Sequence, residues 1–263
     1  MYLAFVLLAI FAPVLTAVDP DAQVLTDRFK PPAFLSTASA HLLGADNLGR
    51  DLLARLLYGS RVSIVVGVAT VTICAVCGSA LGAIAGYARG RVDGALMLLL
   101  DIWMAFPSLV LAIALSAALG AGLPNLILAL ALTGWVSYCR VVRAEVLSLR
   151  EREFVLAARV AGASATRIVA RQLLPNVLGP VLVLATLEMA TVIISEAALS
   201  FLGLGVGASQ PTWGSMLNDG RQYLRQAWWL ATFPGVAISL LVLAVNLFGD
   251  GLRDALDPRQ RGR

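Results

Sequence analysis

Six apolar stretches, roughly 2–18, 62–87, 95–119, 125–142, 177–200 and 229–248, constrain this chain more than any single motif. About 20 consecutive apolar residues cross the hydrocarbon core as a helix, and every backbone polar group within it must be bonded inside the segment. A chain patterned this way folds as a bundle of membrane-spanning helices. The composition agrees: 59% of residues are hydrophobic and only 14% charged, with a mean hydropathy of +0.83. The expected fold is therefore an all-α polytopic membrane protein with six transmembrane helices. A first helix and outer loop occupy 1–61, the membrane domain 62–250 and a cytoplasmic tail 251–263. The remaining connections are too short for a soluble catalytic lobe, and no catalytic residues are assigned.

Lysine and arginine set the orientation. With the N-terminus inside, Arg89, Arg91, the seven arginines from Arg140 to Arg171, and Arg253, Arg259, Arg261 and Arg263 are cytoplasmic, thirteen of the twenty basic residues. Both termini and the 143–176 segment then lie inside, and Trp213, Trp228 and Trp229 fall at or near the outer interface. The pI of about 9.3 reflects this topology, and no basic patch interleaved with aromatics points to nucleic acid. The segment 1–18 has no basic residue ahead of its apolar core, and Leu15-Thr16-Ala17 is a poor cleavage site, so a retained span is expected rather than a cleaved signal. The abrupt start leaves room for a start codon upstream.

Between two apolar stretches lies 151–176, EREFVLAARVAGASATRIVARQLLPN, polar, arginine-rich and patterned as a pair of small helices. Ala157, Ala158, Ala161 and Gly162 form one face of small side chains. Gly162 is placed to end the first helix and Ser164 to cap the second. Ala165, Ile168, Val169 and Leu173 make an apolar stripe, with Arg167 and Arg171 on another side, and Pro175 is placed to stop the second helix. Two readings stand side by side: a knob on which a soluble partner docks, and a positive-inside loop lying on lipid headgroups.

Other features divide between structure and function. Cys74 and Cys77 spell C-x-x-C inside an apolar span with no third ligand in the sequence pattern, so they read as buried thiols and no metal site is assigned. Gly78, Gly82, Gly86 and Gly90 recur every four residues, a ridge that lets another helix approach closely. The single histidine, His41, lies in the first outer loop and offers no histidine relay within the membrane. Acids inside spans are default functional candidates. These are Glu188 near the middle of the fifth span, Glu196 towards its outer end and Asp101 in the third. With no lysine or arginine deep in a span, ion pairs within the chain are not expected. Glu188 is open to two roles, a protonated group bonded to a neighbouring helix or part of a polar pathway. The second would suit a proton-coupled carrier. An intramembrane protease lacks its Ser–His pair or paired aspartates, and the inverted repeat of many carriers is not evident.

The residues resemble the membrane permeases of bacterial ABC importers, in the peptide and nickel branch, over nearly the whole chain after about Leu43. That family's cytoplasmic coupling loop reads E-A-A, three residues, G and, further on, L-P. Here stand Leu156-Ala157-Ala158, Gly162 and Leu174-Pro175, with Leu156 in place of the usual glutamate and Glu153 one turn away. Leu43-Gly44-Ala45-Asp46-Asn47-Leu48-Gly49-Arg50-Asp51, followed by Leu57-Tyr58-Gly59-Ser60-Arg61, is similar to the family's segment before the second span. Glu196-Ala197-Ala198-Leu199-Ser200-Phe201-Leu202-Gly203-Leu204-Gly205, then Pro211-Thr212-Trp213-Gly214, resembles its fifth-span exit. Asn246-Leu247-Phe248-Gly249-Asp250-Gly251-Leu252-Arg253-Asp254 through Pro258 resembles its C-terminus.

The resemblance implies a type I importer fold and a pore shared with a second, homologous permease, a heterodimer. It implies two ATPase subunits docked on the coupling loops through Glu153, Ala157, Ala158, Ala161, Gly162, Leu174 and Pro175, and a binding protein that delivers cargo from outside. It places the chain in the bacterial inner membrane. The chain has no G-x-x-x-x-G-K-[ST], so ATP and Mg2+ are expected on the partner ATPase and no cofactor on this chain. Peptide is the expected cargo, nickel or another small solute the alternative, and a carrier using Glu188 the rival class.

Overall fold

The computed structural model describes residues 2–16, 18–36, 39–207 and 210–256. Positions 257–263 of the expected tail, including Pro258, Arg259, Arg261 and Arg263, and Ala17 of the weak cleavage motif lie outside the described residues. Among those described the fold is helical, with one isolated antiparallel bridge between Ala45 and Asp51.

Four helices are long and apolar enough to cross a membrane. The first, α2 (Leu52–Ala88), begins ten residues before its apolar window because the Asp51 carboxylate caps it, accepting from Ala54 N at 2.8 Å. The helix α1 (Tyr2–Leu15) precedes it and is short: 14 residues rise about 21 Å, less than the hydrocarbon thickness. The expected third span is not one straight helix. It is split into α3 (Gly90–Met104) and α4 (Ser108–Leu119), which meet at 85°. Pro107 explains the break, since it disfavours helical geometry at Phe106 and has no N–H to continue the ladder. Among the described residues the six expected spans therefore become four full spans, one bent pair and one short apolar helix.

The seam between α2 and α5 (Leu123–Leu149) organises the bundle. A Cβ added at Gly82 would lie 2.5 Å from the Cys139 carbonyl oxygen, and one at Gly86 would lie 2.9 Å from that of Arg143. Gly78 meets Trp135 and Tyr138 in the same way, so the three glycines bring the two helices into parallel backbone contact. Gly90, the fourth of the series, sits outside this seam. It has φ +61°, no atom within 4 Å of a would-be Cβ, and serves the turn into α3. Cys74 lies in the seam too, its thiol directed at the Ala131 carbonyl, while Cys77 is exposed.

Between α5 and the next long helix come α6 (Glu153–Val160) and α7 (Ala165–Ile168). A π-helical turn, Val169–Leu173, then leads without interruption into α8 (Leu174–Phe201). Pro175 therefore does not stop the second small helix. It falls in the first turn of α8, and the wide π turn immediately before it accommodates the ring and the missing N–H within the continuous helix. At the far end α9 (Trp213–Gly220) opens with a Thr212–Ser215 capping box and packs on α8 and α10 (Trp229–Leu256). Trp213 and Trp229 are buried there rather than set in a lipid belt, because each indole N–H finds a carbonyl inside the fold, at Leu56 (2.9 Å) and Ala45 (3.4 Å). Trp228 is exposed.

The loop before α2 is held by charge. Asp46 accepts from Arg50 Nε at 2.7 Å and Arg55 Nη1 at 2.6 Å, and from the backbone N–H groups of Leu48 and Arg50. His41 bridges Asp51 (Nδ1, 2.8 Å) and Asp27 (Nε2, 3.0 Å), and Lys30 holds the other Asp27 oxygen at 2.6 Å. Carboxylates only accept, so both ring nitrogens donate and His41 is an imidazolium. Burial opposes that charge, but the bonds to Asp51 and Asp27 outweigh it and raise the His41 pKa. Lys30 first, and His41 after it, lower that of Asp27. The His41 contribution is thus complete below its unfolded pKa and fades as pH rises through the raised one, while the Asp27 contribution fades only in acid. Amide exchange in 27–51 is expected to be slower at about pH 6 than at about pH 8.5 after correction for intrinsic rates, and His41→Gln should remove the difference. Equal protection at both values in the parent protein would show that the clamp does not hold the loop.

Candidate functional site

The segment from α6 to the π turn forms a knob at the end of the bundle where α2 and α5 finish. Glycine chemistry shapes it. Gly162 adopts φ +76°, Ala163 N–H bonds Ala158 O at 3.0 Å and Gly162 N–H bonds Arg159 O at 3.1 Å, a Schellman pair that terminates α6. Two residues later the Ser164 hydroxyl accepts from Arg167 N–H and starts α7. Both ends of the reversal are therefore fixed by local bonds.

Two faces of the knob differ in kind. Val155, Ile168 and Leu173 are fully buried against Val146 and Tyr87. Ala165, read with that stripe, is exposed. On the opposite side Ala157, Ala161 and Gly162 are open, while Ala158, read with them as one face, is half-buried and packs against the buried side. Phe154 and Leu156 add exposed apolar surface, and Val160 stands 91% exposed. Glu153 is exposed in the first turn of α6. Leu174 is half-buried and Pro175 exposed where the π turn enters α8. A knob anchored on one face and bare on the other is suited to receive a second surface.

Arg150 and Arg159 join this knob to α2, through contacts that the sequence pattern did not reveal. Arg150 Nη1 donates to the Tyr87 carbonyl at 2.7 Å, capping the last turn of α2. The guanidinium carbons of Arg150 and Arg159 lie 5.8 and 5.9 Å from the centre of the Tyr87 ring. Arg89 reaches Glu151 at 2.8 Å close by. Tyr87 ends a long apolar helix beside an arginine, a faint signal, and its partners lie more than 60 residues away.

The three intramembrane acids are not one cluster. Glu196 is wholly buried and accepts from Ser63 Oγ of α2 (3.0 Å) and Ser200 Oγ (2.8 Å). Asp101 is exposed and pairs with Arg140 of α5 at 2.9 Å, contrary to the expectation that ion pairs are absent. The reason is packing: the later turns of α5 run alongside α3, so Arg140, near the end of its apolar stretch, meets Asp101, and Arg143, just past it, grips both oxygens of Asp93. Glu188 is half-buried beside a cavity shared by α4, α5 and α8.

The fold and the knob together define a polytopic helical membrane protein. The chain matches a chain in a solved inward-facing structure of the MetNI methionine ABC transporter with a TM-score of 0.65, covering 78% of this chain and 98% of that one, at 19% identity. Residues 78–262 match the family described as binding-protein-dependent transport system inner membrane component, and this chain belongs to that family. It is 45% identical, over 98% of its length and 85% of the relative's, to the di/tripeptide transport system permease protein DppC of Pseudomonas aeruginosa. Against the oligopeptide transport system permease protein OppC of Bacillus subtilis it is 41% identical over 97% of its length and 82% of the relative's.

The Tyr87 contacts carry a prediction. Two cation–π contacts at about 0.5–1 kcal/mol each are lost in Tyr87→Ala, so amide exchange across 151–164 should quicken by roughly 5- to 30-fold. Tyr87→Trp should leave it near the parent rate. Unchanged exchange in the alanine variant would mean that the ring does not hold the knob.

Proposed function

We propose that this chain is one of two homologous permeases that form the membrane pathway of an ATP-driven importer of di- or oligopeptides. The bacterial relatives with which it aligns almost end to end are peptide permeases by name, which favours peptide over nickel or another small solute. The knob faces the cytoplasm, as do both termini, because thirteen of the twenty basic residues then lie inside the plasma membrane. A separate ATPase, one on each permease, binds ATP and Mg2+ and seats the knob. The second permease, a different chain, completes the pore. A binding protein delivers cargo at the opposite face, against 43–61 and 203–228.

The observation that carries this reading is the bare face of α6. Val160 is a large apolar side chain left almost entirely in the open on a turn whose other side is rigidly packed. Burying such a side chain is worth about 1.5–3 kcal/mol, and a docked partner supplies that burial. Glu153, Ala157, Ala158, Ala161 and Gly162 are the proposed contact set, with Leu174 and Pro175 setting the angle at which the knob leaves α8.

A pull-down of the chain co-expressed with its neighbouring operon genes tests the reading. A P-loop ATPase should co-purify with the parent chain and be lost when 151–174 is scrambled. A scramble that retains the ATPase, or a parent chain that binds none, sinks the docking assignment and leaves a loop resting on headgroups. Gly162 gives a finer test. A side chain there meets nothing within 4 Å in the isolated chain, so Gly162→Trp, despite the strain of φ +76°, should insert normally yet lose transport as the bulk blocks the partner, and an asparagine variant controls for the strain. Gly162→Asn, tolerant of positive φ, should transport close to the parent level. Normal uptake by the tryptophan variant would rule out close docking at this turn.

A further inference from the structure

We propose that Glu188 and the hydroxyl groups around it form a subsite for a primary ammonium, the amino end of the transported cargo. This rests on the importer reading and adds to it which chemical group the pathway recognises.

The cavity beside Glu188 has a volume of about 190 Å3. Its polar lining is Ser108 of α4, Thr133 and Ser137 of α5, and Glu188, Thr191 and Ser195 of α8. Two of these hydroxyls have already spent their protons within their own helices. Thr133 Oγ1 donates to Leu130 O at 2.9 Å, and Ser195 Oγ donates to Thr191 O at 2.8 Å. What they can offer a guest is lone pairs. Ser137, across the helix interface, is a hydrogen-bond partner of the Glu188 carboxylate. The site is thus rich in acceptors around one carboxylate, and a group with several donors and no acceptor complements it. An ammonium has three donors and none. The hydroxyls of Ser108 and Thr191 can still donate to a carbonyl, but a carboxylate would meet the like charge of Glu188.

No lysine or arginine lines this cavity. The adjoining larger cavity, about 550 Å3, shares Ser108, Thr133 and Ser137 with it and contains Arg140, but that guanidinium is occupied by Asp101. The countercharge for Glu188 is therefore not supplied by the described residues that surround it. Glu196, two turns along the same helix, is held differently. Glu196 is closed off from solvent and satisfied by two serine hydroxyls, which is how a structural acid in a membrane helix is kept. Glu188 instead borders a space able to hold several waters, since a water occupies about 30 Å3. The small cavity accepts the amino end of a peptide, and the larger one, walled by Trp103, Phe106 and Leu111, has room for the residues that follow.

The test uses the whole importer in proteoliposomes: this chain, its partner permease, the ATPases and the binding protein, with labelled tri-alanine as probe. For an importer with no cargo contact at Glu188, Glu188→Gln would be silent. The subsite instead predicts that Glu188→Gln lowers ATP-driven tri-alanine uptake at least tenfold, while assembly and stimulation of ATP hydrolysis by the loaded binding protein stay within about twofold. Glu188→Asp, which keeps the charge, should retain most of the uptake. Uptake by the glutamine variant within twofold of the parent overturns the subsite. So does a glutamine variant that fails to assemble, because the residue is then structural. A parent complex that shows no ATP-driven uptake, or that needs a proton gradient instead of ATP, overturns the importer reading and the subsite with it.

Discussion

The close approach of α2 to α5 is the contact on which the other placements depend. Three glycines at successive turns let backbone meet backbone, so carbonyl oxygens of α5 occupy the space where side chains of α2 would otherwise stand. Dispersion and close packing must hold such a seam, since in lipid no hydrophobic force drives apolar helices together. Because the two helices run parallel and in register, they end together. Arg150, at the end of α5, can then cap the last carbonyls of α2 and stack on Tyr87. A methyl group at Gly82 or Gly86 would push that end apart and unseat the knob without touching it.

The same seam decides how intramembrane charge is handled. Glu196 faces α2 and is bonded by Ser63, so it links the α2–α8 contact at the end away from the knob. Asp93 and Asp101 face the later turns of α5 and are answered by Arg143 and Arg140. An unpaired ion costs several kcal/mol in a dry interior, so each acid is expected to find a partner or water. Glu188 faces the space left between α4, α5 and α8, and there the break before α4 matters. Had α3 continued straight, Ser108 and its neighbours would not lie across from α8. The Pro107 break and the Glu188 cavity are thus two aspects of one feature.

Local chemistry was legible in the sequence, and long-range chemistry was not. The reversal at Gly162 and the cap at Ser164 depend on residues within five positions of each other, and both could be read directly. Apolar windows located the long helices but said nothing of direction, so the right-angle turn at Pro107 fell inside what looked like one span. Pro175 misled for a related reason: its effect depends on whether it opens a helix or interrupts one, and the π turn before it settles that. The Asp101–Arg140 pair joins positions 39 apart, Arg150 reaches Tyr87 across 63, and Trp213 reaches Leu56 across 157. No pattern within a window carries those distances. The tryptophans show it most plainly, since being near an interface in sequence did not decide whether the ring faces lipid or the bundle.

A knob that transmits motion must be stiffer than the contacts it makes. If nucleotide binding in a partner changes the surface offered to α6, the two states differ only by the contacts that Val160, Leu156 and the small-residue face make in each. A knob free to rock would absorb that difference locally. Here the Schellman turn, the Ser164 cap and the buried Val155–Ile168–Leu173 stripe remove that freedom. The π turn then carries α7 into α8 with no loop between them. A displacement of the knob is therefore a displacement of α8, and α8 bears Glu188. The surface proposed to meet the ATPase sits on α6, which packs on α7 through Val155 and Ile168, and α7 continues through the π turn into the helix that bears Glu188, with Pro180 between them. Such a packed, two-ended element is of the kind through which binding at one site can bias the other.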